Sequence, residues 1–454
     1  MRPLRFRHRL NRLFYLGLTV ATAAMDAAPA RVRFGHGRTI SRLLFDRQPL
    51  ARIEALPVVD PGSSVAVRTA IAGVPELRCT IATASLDVGG VESVVAMIAR
   101  RLPLAGIAST VVARQGGRTA DKLRAAGVPV HIASSDATFL DIVPRTAPDV
   151  VEVHTATPAM SDALVSAGIP IVSVLHSVEL YREPSAWEAT ARLDAASRSV
   201  VAVSRAVRDD HVAHVPLRHP DDVVVIPNGA ETRATDGSTR ARARDHLAAG
   251  LRVDLANDVV VVCLARYDIQ KNITGLVDAF LLALRRRPHL RLVVAGGTAD
   301  WLERTRAEVL RRADRNADRV HLLAESDAAT LLAAADVFAI DSFFEGWPVS
   351  VTEAVCTGLP VVMADVGGAH ELIGEDPTMG RVVANPAGPT VTPATVAAAR
   401  RAVHQQTRRA FAQALVEVSD LPRNQGRMGL GHEVMAARHA EVLRAVARAE
   451  LVGR

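Results

Sequence analysis

From about residue 76 onward, short apolar runs alternate with helical patterns, and the alternation restarts once. Strand-like runs are expected at 78–84, 107–113, 128–133, 149–154, 170–175, 199–203 and 222–227, with helical patterns between them such as 91–102 and 205–213. A polar, poorly periodic stretch at 229–257 is the best linker candidate. Further runs follow at 258–264, 290–295, 319–323, 336–340 and 359–363, with a helix over 273–287 that starts after Asn272 and stops at Pro288, and a last helix over 433–450. Apolar runs separated by helices make parallel β/α/β units. At 454 residues the chain exceeds the size of one core. The expected class is therefore α/β with two domains, 76–228 joined by 433–454, and 229–432, behind an N-terminal extension, 1–75.

Composition excludes several functions. Apolar content of 49% is ample for two cores. The net charge of +6 rests on dispersed arginines, aromatics are only 4%, and no nucleic-acid motif occurs, so no nucleic-acid partner is expected. Only two lysines occur, Lys122 and Lys271. Lys271 thus stands out against a chain-wide preference for arginine. Cys79, Cys263 and Cys356 share no metal-ligand spacing and look like small core residues of a reducing compartment. In the extension, a basic segment (1–12) precedes an apolar one (13–25) too short to span a bilayer. It reads as a segment lying on an anionic membrane surface, as an accessory extension, or as a cleaved signal.

Three clusters carry chemistry. The first runs from Glu345 to Glu371, EGWPVSVTEAVCTGLPVVMADVGGAHE. It places Glu345 in a loop before a short helix and Glu353 within that helix, and both reach the carboxyl edge of a parallel sheet, where open α/β proteins bind ligands. Glu353 taken alone reads better as a solvated helix acid; the cluster as a whole points to the sheet edge. The second is CLARYDIQKN, 263–272, in which Arg266 and Lys271 lie on the loop leaving a strand. A planar fork and a point charge five residues apart can grip a diphosphate, or be two solvated bases. In the third, Gly89 and Gly90 follow the first strand. They either let a ligand approach a helix N-terminus or simply make a tight turn. His154 and His176 end strand-like runs on the same sheet rim. No GxGxxG, Walker or GxSxG sequence occurs.

In order along the chain, GGVE at 89–92, His154, VSRAVRDD at 203–210, IPNGA at 226–230, the Arg266/Lys271 pair, and E-x7-E at 345–353 followed by GLPVV and GG resemble the GT-B glycosyltransferases of family 4 (group 1). The resemblance covers roughly 78–450. It implies two Rossmann-like domains facing a cleft, with the last helix crossing back onto the first domain. It implies a nucleoside-diphosphate-sugar donor, transferred with retention of configuration and without a metal or other cofactor. Arg266 and Lys271 match the pair that neutralises the leaving diphosphate. Glu345 and Gly346 match the loop near the donor sugar, Glu353 the acid on the ribose hydroxyls, and His154 a histidine near the sugar's C6 side. Gly89 and Gly90 match the turn that approaches the phosphates. The usual Gly-Phe-Gly reads Gly346-Trp347-Pro348 here. The implied acceptor is a glycan, a lipid-linked sugar or a small molecule. The expected location is the cytoplasm; the reading of residues 1–25 as a peripheral membrane contact comes from that segment itself, which lies outside the resemblance. An inactive partner subunit and a nucleotide-sugar epimerase of the same fold are the alternatives.

Overall fold

The structure, a computed structural model, describes residues 2–28, 37–46, 49–56, 75–231, 235–424 and 426–452. The chain divides into two compact units. One comprises 60–231, 346–349 and 428–454, and the other 1–59, 232–345 and 350–427.

The first unit carries a parallel sheet of β1 (Leu77–Ser85), β2 (Ile107–Gln115), β3 (Val130–Ile132), β4 (Val150–Val153), β5 (Ile171–Leu175), β6 (Ser199–Ala202) and β7 (Val223–Val225). Their order is β3-β2-β1-β4-β5-β6-β7. The strands are Val- and Ile-rich because helices cover both faces. The last helix, His432–Val452, belongs to this unit. Its Met435, Ala440, Leu443 and Val446 share a core with Ile81, Ile98, Val111 and Val201.

The second unit repeats the plan with β8 (Val259–Leu264), β9 (Leu290–Ala295), β10 (Val320–Leu323), β11 (Val337–Ile340), β12 (Val361–Ala364) and β13 (Gly380–Val383), in the order β10-β9-β8-β11-β12-β13. The order reverses beside β1 in one sheet and beside β8 in the other, and a reversal of this kind opens a crevice at the strands' carboxyl ends. The stretch 229–257, expected as a linker, contains the helix Gly237–Leu251. That helix buries only Ala243 and Leu247, and its arginines mask the period; Asp236 caps it by accepting from the Thr239 amide. The helix expected over 273–287 is Ile273–Ala283, so Arg285, Arg286 and Arg287 lie beyond its end.

The described part of the N-terminal extension packs on the second unit. The helix Arg2–Ala27 buries Tyr15 and Leu18 against Leu302 and Val309. Its buried Thr19 and Thr22 satisfy their hydroxyls on the carbonyls of Tyr15 and Leu18, at 3.0 and 2.8 Å. At its end, buried Asp26 pairs with Arg400, whose guanidinium also lies 3.8 Å from both Asp300 and Glu303. The helix covers the unit with the stripe of residues 15, 18, 19, 22 and 26. A second stripe, Leu10, Leu13, Phe14 and Val20, is exposed. No described helix is long and apolar enough to cross a membrane.

Candidate active site

In the second unit, β8 and β11 lead into adjacent loops beside the sheet's reversal. One carboxylate organises the first loop. Asp268 accepts from the Lys271 amide at 3.0 Å with one oxygen and pairs with Arg266 at 3.1 Å through the other. Burial pushes the Asp268 carboxyl up, against the pull of Arg266 and Lys271. The Lys271 Nζ then lies 2.6 Å from Glu345 Oε1, while Gln270 Nε2 donates to the Phe344 carbonyl at 2.9 Å and to Glu345 Oε2 at 3.2 Å. Both carboxylate oxygens of Glu345 are thus engaged. An ammonium has three donors, and Glu345 takes one. Arg266 keeps 52% of its side chain exposed, Lys271 16% and Glu345 5%. A half-exposed fork and a fixed ammonium on one loop are donors of the kind that can grip a dianionic group.

The loop's exit is unusual. Asn272 holds φ at 48°, and its side chain does not cap the helix that follows. Instead it donates to Asp341 Oδ2 at 3.0 Å and to Gln405 at 2.9 Å. Asp341 is fully enclosed at the end of β11. Burial drives its carboxyl well above the usual range with only Asn272 opposing, which favours the neutral acid. Glu353 is half-buried on the helix Val349–Cys356.

In the first unit, Gly89 and Gly90 open the helix Gly90–Arg101. Neither lies in the left-handed region, so a tight turn is not what calls for glycine there. A Cβ on Gly90 would meet only a Val349 methyl, at 3.8 Å, so the helix start is open at that point. At Gly89 a Cβ would press on the Glu92 carboxylate. Gly346, which packs with this unit, has no room for a side chain, because a Cβ would collide with the His176 carbonyl.

His154 and His176 do follow β4 and β5, but they are links in a buried chain. His154 Nδ1 lies 2.8 Å from His176 Nε2, and its Nε2 lies 3.5 Å from Glu152 Oε2. The other oxygen of Glu152 accepts from His439 Nδ1 at 2.5 Å. Burial alone would push the Glu152 carboxyl up, but the imidazoles of His439 and His154 outweigh it and hold the acid well below the usual range. Burial, then the neighbouring imidazoles, push His176 far down, so it is neutral. The two histidines line a cavity of about 160 Å³ with Arg182, Trp187 and Asp210.

The structure therefore joins Arg266, Lys271 and Glu345 in one cluster of the second unit. Gly89, Gly90, His154 and Gly346 belong to the first. Asp268, Gln270, Asp341, Glu152 and His439 went unnoticed in the sequence. Asp268 and Gln270 had a usable signal, since both lie between the two expected cations. No group of three or more His, Cys, Asp or Glu among the described residues is placed to hold a metal.

Residues 258–417 match the family Glycosyl transferases group 1, and residues 88–234 match Glycosyltransferase Family 4. The chain is 29% identical over 275 residues to alpha-maltose-1-phosphate synthase of Mycolicibacterium smegmatis, covering 56% of this chain and 69% of that protein. The corresponding Mycobacterium tuberculosis protein is 32% identical over 250 residues, covering 51% and 63%. A putative teichuronic acid biosynthesis glycosyltransferase of Bacillus subtilis, TuaC, is 28% identical over 235 residues, covering 50% and 56%. Among solved structures, Anabaena HepE in complex with UDP-glucose superposes with a TM-score of 0.61 at 20% identity, over 81% of this chain and 100% of that one. The catalytic domain of Arabidopsis thaliana starch synthase IV, bound to ADP and acarbose, gives 0.59 at 15%, over 82% and 99%.

Proposed function

Because the chain belongs to the group 1, family 4 glycosyltransferases and is a sugar-transferring enzyme, we propose that it moves a hexosyl group from a nucleoside-diphosphate sugar, with retention and without a metal, to a glycan, lipid-linked or small-molecule acceptor. The observation that carries this reading is the Asp268-organised loop, with Arg266 and Lys271 presented together at the sheet's reversal. Cleaving a sugar–diphosphate bond builds positive charge on the sugar and negative charge on the leaving group. Fixed cations at the diphosphate stabilise that separation as it develops. Retention through a front-face ion pair is favoured, because Glu345, the acid beside the lysine, has both oxygens committed and is a poor nucleophile.

The test is calorimetry with UDP, ADP and GDP, followed by analysis of the products and their anomeric configuration. One diphosphate should bind in excess EDTA, Arg266→Ala should weaken it by roughly tenfold or more, and turnover should survive the chelator. Strict dependence on a divalent ion, or inverted product, would overturn the mechanism. Isomerised donor with no transfer would favour the epimerase.

The same reading places the protein in the cytoplasm, where its three buried thiols stay reduced. It rests the exposed stripe Leu10, Leu13, Phe14 and Val20 on an anionic membrane surface, and assigns the exposed Ile40, Leu43 and Leu44 of the helix Gly37–Phe45 to the same role. The arginine-rich start of the N-terminal helix supplies the complementary charge. Leu13→Glu/Phe14→Glu should abolish co-sedimentation with phosphatidylglycerol-containing vesicles. Undiminished binding would remove the membrane contact.

A further inference from the structure

The N-terminal helix does more than cover the second unit. Beneath its border lies a cavity of about 460 Å³, within the ~300–1,000 Å³ span of small-molecule sites. Its apolar wall comes from Tyr15 and Leu16 of this helix, with Leu281, Leu310 and Val403. Its charged wall holds Arg12, Arg285 and Arg408, with His404, Asp278 and Asp314.

Of the acids there, Asp278 is paired with cations, while Asp314 has only a backbone amide on one oxygen. Asp278, 5% exposed, pairs with Arg408 at 2.8 Å and with His404 at 2.7 Å. Asp314 accepts from the Asn316 amide at 2.9 Å. The guanidinium groups of Arg12 and Arg285, by contrast, have no hydrogen bond or ion pair to any described residue, although the Arg285 backbone amide donates to the Leu282 carbonyl. Two uncommitted guanidinium groups beside an apolar wall present a positive rim to an anion with an apolar body. Arg12 and Leu16 are one turn apart on the helix, so the cation and the apolar surface come from the same face. Residues 2–27 lie outside both family matches, so Arg12, Tyr15 and Leu16 are the extension's own contribution to a cavity whose other walls lie within the 258–417 match.

We infer that the cavity under the N-terminal helix is a second ligand site, which takes an organic monophosphate with its phosphate on Arg12 and Arg285 and its apolar part against Tyr15, Leu16, Leu281 and Leu310. Guanidinium forks match phosphate oxygens in pairs. The phosphate comes either from a soluble metabolite or from a lipid headgroup reaching in beside the exposed stripe. The site is independent of the donor loop.

The full chain is titrated calorimetrically with inorganic phosphate, phenyl phosphate, and dihexanoyl phosphatidic acid below its micellar concentration. Phenyl phosphate or the short lipid should bind saturably and at least tenfold tighter than inorganic phosphate. A preference for phenyl phosphate marks the soluble source, and a preference for the lipid marks the headgroup. Arg12→Ala/Arg285→Ala should weaken binding tenfold or more, and Leu16→Glu comparably, both with UDP affinity unchanged. These side chains are exposed, so the variants fold. No saturable binding of either organic phosphate, affinity equal to that of inorganic phosphate, or full affinity in the double variant would each overturn the assignment.

Discussion

Lys271→Ala is expected to lower turnover by about 10²–10³-fold, the cost of deleting one fixed charge-stabilising donor from a site of this kind. The loss should fall mainly on kcat, because the ammonium matters most when the diphosphate acquires its charge. The same substitution strands Glu345, which is 5% exposed and keeps only the bond from Gln270. Removing one partner of such a buried pair costs about 3–5 kcal/mol. The two effects separate in the double variant Lys271→Ala/Glu345→Gln, which removes the stranded charge. Its urea midpoint should return toward wild type while its turnover stays low. Near-normal kcat in the single variant would end the diphosphate assignment. Recovery of turnover together with stability in the double variant would show that Lys271 serves only the fold.

Glu152→Leu is expected to destabilise the first unit by about 3–5 kcal/mol, since it leaves the imidazoles of His439 and His154 without their buried acceptor. Glu152→Gln keeps the shape and removes the charge, so it should cost less and change the pH response. Burial raises the acid and the two imidazoles pull it lower, with the net result that the folded-state value is depressed. A depressed carboxyl contributes stability that is present above its unfolded value, 4.5, and is lost as pH falls below it toward the folded value. His176, also depressed, acts in the same sense below its ordinary value of 6.5. Urea midpoints between pH 7 and 3 should therefore fall more steeply in wild type than in Glu152→Gln below about pH 4.5. Parallel curves would show that the carboxylate carries no charge-dependent stability.

The difference between those two sites explains what was legible in the sequence. The loop proposed to hold the diphosphate is local: Arg266, Asp268, Gln270 and Lys271 lie within one strand-to-helix turn, and Glu345 follows the next strand but two. Spacing and strand edges were enough to pick out the cations and the acid. The Glu152–His439 contact joins residues 287 positions apart. Within β4 an isolated Glu breaks an apolar run, and nothing local names its partner. The fold was legible for the same reason, because parallel strands are local apolar runs. Elements stabilised by tertiary contact were not. Strand β13 is four residues starting at a glycine, and the helix Gly237–Leu251 buries two side chains among its arginines. The N-terminal helix misled more interestingly. Its apolar residues belong to two stripes, and only the structure shows that one of them is spent on the protein itself.

The placement of the helix His432–Val452 has a bearing on synthesis. Its Met435, Ala440, Leu443 and Val446 complete the core of the amino-terminal unit, and its His439 supplies the counter-charge for Glu152. Domains usually fold in the order in which the ribosome delivers them. Here the earlier unit emerges with its interior open and waits, through translation of residues 232–427, for the segment that seals it.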